Sequence, residues 1–207
     1  MRKTLLTIAV TAGLTSILKA QEFGLRKGNV LLEGQISVSS AKDNNTDLKN
    51  SHFGFSPKVG YLLMDKFAVG VDLGIFQSNR ETLLPSNEVS NSKVNEYRVG
   101  VFGRYYFLNI GERFKTYSEV GARYHRVEAT SEGFDLNYKS NQIALNGGIG
   151  ANFFLTKNVA LGYSFGNIIG FNTSKKDEEK SSNGFYLNVN SFNNFFETGQ
   201  FSLTFKL

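Results

Sequence analysis

Eight ionisable residues share one kind of local setting along the chain: Glu33, Lys58, Asp72, Glu96, Arg98, Arg104, Glu119 and Arg123. Each sits within or beside a run of apolar and small residues, as Lys58 and Asp72 do in "PKVGYLLMDKFAVGVDLG". Four acids and four bases could neutralise one another as ion pairs where water is excluded. Acyl-transfer chemistry would instead need His52 or His125 beside a serine and an acid, and no such set stands at motif spacing around either. "KKDEEK" (175–180) groups three acids, but the flanking lysines neutralise them, which predicts a solvated loop tip rather than a calcium site. "GGIG" (147–150) lies inside a strand pattern with no helix after it, so it does not read as a phosphate loop. No catalytic residue, cofactor or metal ligand is assigned.

The elements carrying these ions read as strands. Phe53, Phe55, Pro57, Val59, Tyr61 and Leu63 alternate with His52, Gly54, Ser56, Lys58 and Gly60. Phe67, Val69, Val71, Leu73 and Ile75 alternate with Ala68, Gly70, Asp72 and Gly74. A period of two is a strand period. With "MDK" as a three-residue hairpin, Leu63 faces Phe67 and Lys58 faces Asp72 as a cross-strand pair. The same pattern recurs in "VLLEGQISVS", "NEYRVGVFGRYYF", "FKTYSEVGARYH", "NQIALNGGIGANFFL", "VALGYSFGN" and "FFETGQFSLTFKL", giving eight strands. Three connections are short: Met64 to Lys66, Leu108 to Arg113 and Thr156 to Asn158. Four are long and polar: Ser39 to Ser51, Gln77 to Val94, Arg126 to Ser140 and Ile168 to Asn194. In the last of these, "GFYLNVN" (184–190) has strand character, which leaves ten strands as the alternative count.

The first twenty residues, "MRKTLLTIAVTAGLTSILKA", have a basic start, an apolar middle and a small final residue. They read as a cleaved secretory signal, with one domain over 21–207. Three basic residues leave with the signal, so the net charge falls from +5 to +2 and no basic face for nucleic acid remains. With no cysteine, the exported chain must be held by its own hydrogen-bonded framework.

The small-residue face decides which way the strands look. Gly54, Gly60, Gly70, Gly74, Gly100, Ala144, Gly148, Gly150, Ala160 and Gly162 share the parity of the ions. A water-facing surface has no need of repeated glycine, whereas the interior of an eight-stranded barrel is barely wide enough for its side chains. The bulky face therefore meets lipid and the small, ionic face meets the barrel axis. Tyr61, Phe67, Tyr105, Phe107, Phe114 and Phe153 fall near the short turns. Phe53, Phe55, Tyr97 and Tyr124 fall near the long connections. These are two expected aromatic girdles.

On "PKVGYLLMDKFAVGVDLG", "VGVFGRYYF" and the terminal "GQFSLTFKL", the mature chain resembles the small bacterial outer-membrane β-barrels. That family is typified by outer-membrane protein X and the membrane domain of outer-membrane protein A. The resemblance implies an all-β, antiparallel, up-and-down transmembrane barrel of eight strands in the cell outer membrane. It further implies a monomer among lipid and lipopolysaccharide, delivered to the barrel-assembly machinery through its last strand. The match to the assembly signal is partial, since the last residue is Leu207 and Gly199 shares the parity of Phe201, Leu203 and Phe205. The balanced interior ions predict a plugged lumen. The expected role is a structural or surface-interaction barrel acting through its long loops. A narrow porin or small hydrophobic-ligand conduit is the alternative, and a lipid A-modifying enzyme stands behind both.

Overall fold

Period-two alternation becomes antiparallel strand throughout the computed structural model, which describes residues 23–84, 88–132, 136–176, 180–188 and 200–207. The strands are β1 (Val30–Lys42), β2 (Lys49–Met64), β3 (Phe67–Leu83), β4 (Val89–Ile110), β5 (Phe114–Ser131), β6 (Leu136–Phe154), β7 (Val159–Lys176), β8 (Ser182–Leu187) and β9 (Gln200–Lys206). Sequence neighbours from β1 to β7 pair in turn, and β9 pairs with both β7 and β1. The sheet thus closes into a barrel with eight wall positions. The eighth is shared: β9 lies along Val159–Ser164 of β7, and β8 lies along Ile169–Ser174. The register runs once round the wall from Phe154 through Ala160, Thr204, Glu33, Lys58, Asp72, Gly100 and Arg123, and returns to β6 at Ala144. A stagger of about ten residues is what strands tilted by about 40° require on closure.

Two sequence expectations change here. Lys58 does face Asp72 and Leu62 faces Ala68, but Met64 then faces Phe67 and Leu63 is the extra residue of a bulge. The turn is therefore the two residues Asp65 and Lys66, the length that best follows strand twist. Lys27 N fixes it by donating to Asp65 Oδ1 at 2.8 Å. The long polar connections are also mostly strand: β3 runs on to Leu83, β4 starts at Val89, and β8 forms a hairpin with β7. Once the apolar part of a strand is paired, continuing the ladder satisfies the polar backbone as well as water does. The side-chain pattern fades while the hydrogen bonding continues. Residues 1–20, Asp177 to Glu179, Gly199 and the last two residues of "GFYLNVN" lie outside the described residues.

The two faces separate by parity. Val71, Leu73, Val99 and Val101 point outward and are exposed, while Asp72 and Arg104 on the opposite parity are each 1% exposed. Large inward side chains lie flat over inward glycines of the neighbouring strand. A Cβ on Gly70 would come within 2.7 Å of the Phe102 ring and 2.8 Å of Gly60 Cα, and one on Gly100 within 2.7 Å of Arg123 Cγ. The glycines are the depressions into which the lumen side chains fit. Gly70→Ala is expected to cost about 1–3 kcal/mol in urea unfolding from lipid vesicles, because part of the obstruction is backbone. Gly34→Ala, with nothing within 4 Å of the new atom, is expected to change stability by less than about 0.5 kcal/mol.

Candidate functional site

The lumen is built in tiers. At the short-turn end, Leu31, Leu62, Ala68, Tyr106, Tyr117, Phe154 and Ala160 point inward and cluster with Leu25, against which Phe23 packs. The segment before β1 is tied to this layer. Gly28 N donates to Leu62 O at 2.9 Å, Lys206 Nζ to Gly24 O at 2.9 Å, and the Arg113 guanidinium stands 4.8 Å from the Phe23 ring centre. This apolar floor was not expected from the ions alone. Its signal was present in the sequence, since Phe102 and Tyr106 share the parity of Arg98 and Arg104 along β4.

Above the floor Arg104 is held by two carboxylates from different strands. Its Nη1 donates to Glu33 Oε2 at 2.9 Å and its Nη2 to Glu33 Oε1 at 3.3 Å. Its Nε and Nη2 donate to Glu119 Oε2 at 2.9 and 2.6 Å. The guanidinium is stacked 3.9 Å from the Tyr117 ring centre. Planar, multidentate pairing of this kind suits a guanidinium and compensates its desolvation. Arg104 and Glu119 are direct register partners on β4 and β5. Lys58 departs from the sequence expectation. It stands opposite Asp72 and Glu33 in the register, yet its ammonium crosses the lumen to Glu119 Oε1 at 2.5 Å. The reason is competition. Asp72 is taken by Arg123, whose Nε lies 3.0 Å from Oδ2, and Glu33 is taken by Arg104. Arg123 reaches Asp72 across Gly100, the residue between them in the register.

The third tier is a cavity of about 280 Å³ bounded by Lys58, Asp72, Arg98, Arg123 and strands β6 to β8. Arg98 donates to Ser56 Oγ at 2.6 Å and lies 4.8 Å from the Phe76 ring centre. Its Nε is buried without a hydrogen-bond partner, 3.7 Å from Asp72 Oδ1. Near the long-connection end, His125 Nδ1 and Glu96 Oε1 are 2.7 Å apart. The His52 ring lies between Ser37 Oγ (3.1 Å) and Ser78 Oγ (2.9 Å). The two serines thus meet one histidine and the acid meets the other. Among the described residues no group of three or more histidines, cysteines or carboxylates is placed to hold a metal.

On the outer face, Phe53, Phe55, Tyr61, Tyr97, Tyr105, Phe107, Tyr124 and Phe153 are exposed, and Phe67 and Phe114 are half-buried. Tyr97 and Tyr105 of β4 are eight residues apart, about 27 Å along the strand and about 20 Å along a tilted barrel axis. Phe171, Phe185, Phe201 and Phe205 are further exposed aromatics on β7 to β9.

A family model described as an outer membrane protein beta-barrel domain matches residues 6–204. Among solved structures, the outer membrane protein OprG from Pseudomonas aeruginosa is 13% identical, with a TM-score of 0.54 over 90% of this chain and 99% of that one. Outer membrane protein W of E. coli is 13% identical, with a TM-score of 0.47 over 88% of this chain and 99% of that one. Neisserial surface protein A is 16% identical, with a TM-score of 0.43 over 86% and 96%. No curated protein matches the sequence. The likeness to OprG is one of fold.

The ion tier makes a charge-balance prediction. Lys58→Met removes the ammonium on Glu119, leaving that carboxylate to Arg104 and a longer 3.5 Å contact with Arg123, and is expected to destabilise by about 3–5 kcal/mol. Adding Glu119→Gln restores balance around Arg104 and is expected to recover part of that loss. Adding Asp72→Leu removes the nearer acid of Arg123 and the ion-pair partner of Arg98 and is expected to deepen it. A double-mutant cycle in urea distinguishes the two.

Proposed function

The chain belongs to the outer membrane protein beta-barrel domain family, and on that premise we propose that it is a closed-lumen surface barrel, acting through the strand ends that project beyond the outer membrane. The observation that carries this reading is the double closure of the lumen. An apolar floor at the short-turn end underlies a layer in which Arg104, Glu33, Glu119 and Lys58 contact one another directly. Ion pairs this well matched in a cramped barrel leave no continuous aqueous path.

The two aromatic rows serve as the interfacial girdles, with the short turns in the periplasm and the long connections outside. Residues 1–20 serve as the export signal and β9 as the strand presented to the assembly machinery, the folded chain being a monomer. Above Tyr97, the stretch Val89–Glu96 of β4 adds roughly 25 Å of strand at about 3.3 Å per residue. The neighbouring strands extend alongside it, so the exposed part is a stiff, hydrogen-bonded collar rather than a set of loose loops. A rigid edge of this kind suits contact with lipopolysaccharide or a protein partner, because little conformational entropy is lost on binding.

Single-channel recording in planar bilayers tests the reading. The wild-type barrel is expected to show no stable open steps, whereas Glu33→Ala with Arg104→Ala is expected to produce intermittent conductance. Stable steps from the wild type would replace the closed barrel with a narrow pore.

A further inference from the structure

We propose that the upper lumen cavity is a binding pocket for a small organic carboxylate entering from the long-connection end. The pocket uses the ion-paired layer of the proposed closed barrel as its floor, and it is independent of what the collar contacts.

The charge count around the cavity points to an anion. Lys58, Arg98, Arg104 and Arg123 are four basic side chains in one connected group, and Glu33, Asp72 and Glu119 are the carboxylates that pair with them. Glu96 is engaged instead by His125 at the rim. Arg98 is the most weakly paired of the four, with Asp72 and Glu96 acting on it only at longer range. Its contacts are a serine hydroxyl, an aromatic face and a carboxylate oxygen 3.7 Å away that Arg123 already holds. Its buried Nε has no hydrogen-bond partner, an arrangement that costs free energy unless something else approaches the guanidinium. A carboxylate in the cavity would supply the missing charge, and Arg123 and His125 line the same space.

The opposite wall sets the rest of the ligand. Ala144 and Gly148 of β6 and the buried Phe165 of β7 contribute carbon to a wall otherwise made of uncharged polar groups, among them Gln142, Ser164, Asn172 and Tyr186. With no ionised side chain on that wall, a short uncharged tail fits there better than a second charged group. At about 30 Å³ per water, a volume of 280 Å³ corresponds to roughly nine waters. The ligand is therefore a compact acid and not a lipid. Size and the paired acids Asp72 and Glu119 disfavour polyanions.

Calorimetric titration of the detergent-folded, full-length mature protein with butyrate, butyramide and inorganic phosphate tests this assignment. Butyrate is expected to bind saturably, with butyramide and phosphate at least tenfold weaker. Arg98→Gln is expected to weaken butyrate at least tenfold. Ala144→Leu, which fills the cavity beside its register partner Arg123 while keeping every charge, is expected to do the same and decides the matter if the arginine variant fails to fold. Absence of saturable butyrate binding overturns the proposal. So does equal binding of butyrate and butyramide, tighter binding of phosphate, or wild-type affinity in a folded Ala144→Leu variant. A conducting wild-type barrel would sink the closed-lumen reading, yet the titration would still succeed or fail on its own.

Discussion

One buried guanidinium organises the interior. Arg104 is 1% exposed and joins Glu33 of β1 to Glu119 of β5, so a single side chain of β4 ties together strands that are far apart round the wall. Burying that charge in a narrow barrel is tolerable only because both carboxylates accept hydrogen bonds from it and the Tyr117 ring lies against it. The rest of the ionic layer follows from this commitment. Glu33 is no longer available to Lys58, so Lys58 crosses to Glu119. Asp72 is then left to Arg123, and Arg98 lacks a carboxylate of its own. The loose pairing of Arg98 at the cavity is a consequence of how the acids were shared.

Space is shared as strictly as charge. The inward glycines and the inward Phe102, Tyr117 and Arg123 are complementary parts of one packing scheme, each bulky group lying over a neighbour that has no side chain. In a soluble protein a core collapses from all sides. Here the wall is fixed by hydrogen bonding between strands, so the lumen must be filled to a radius it cannot adjust. Small residues on one strand are therefore as constrained as large ones on the next. The apolar floor extends the same logic, with the segment at Phe23 to Gly28 closing the end that the strands leave open.

Much of the fold was legible because strand parity is a local property. The eight wall positions, the Lys58–Asp72 register and the inward set of ions follow from counting by two along "PKVGYLLMDKFAVGVDLG" and "VGVFGRYYF". The bulge at Leu63 was hidden because alternation on either side of it is preserved. The extension of the strands through polar residues was hidden because backbone hydrogen bonding does not depend on apolar side chains once the ladder has started. For the lumen, parity named the residues but not the partners. Register places Lys58 beside Asp72 and Glu33, and it says nothing about a side chain long enough to cross the axis.

The sequence by itself determined the closed antiparallel wall and the face each residue takes, because both rest on a two-residue period and on glycine needing a crowded side. Tertiary structure alone decided which acid meets which base, that Tyr106, Tyr117 and Phe154 cluster at one end, and that Arg98 borders an open space. Those outcomes depend on contacts across the barrel axis, such as Lys58 with Glu119 and Arg104 with Glu33, whose approach is set by the stagger of the whole wall.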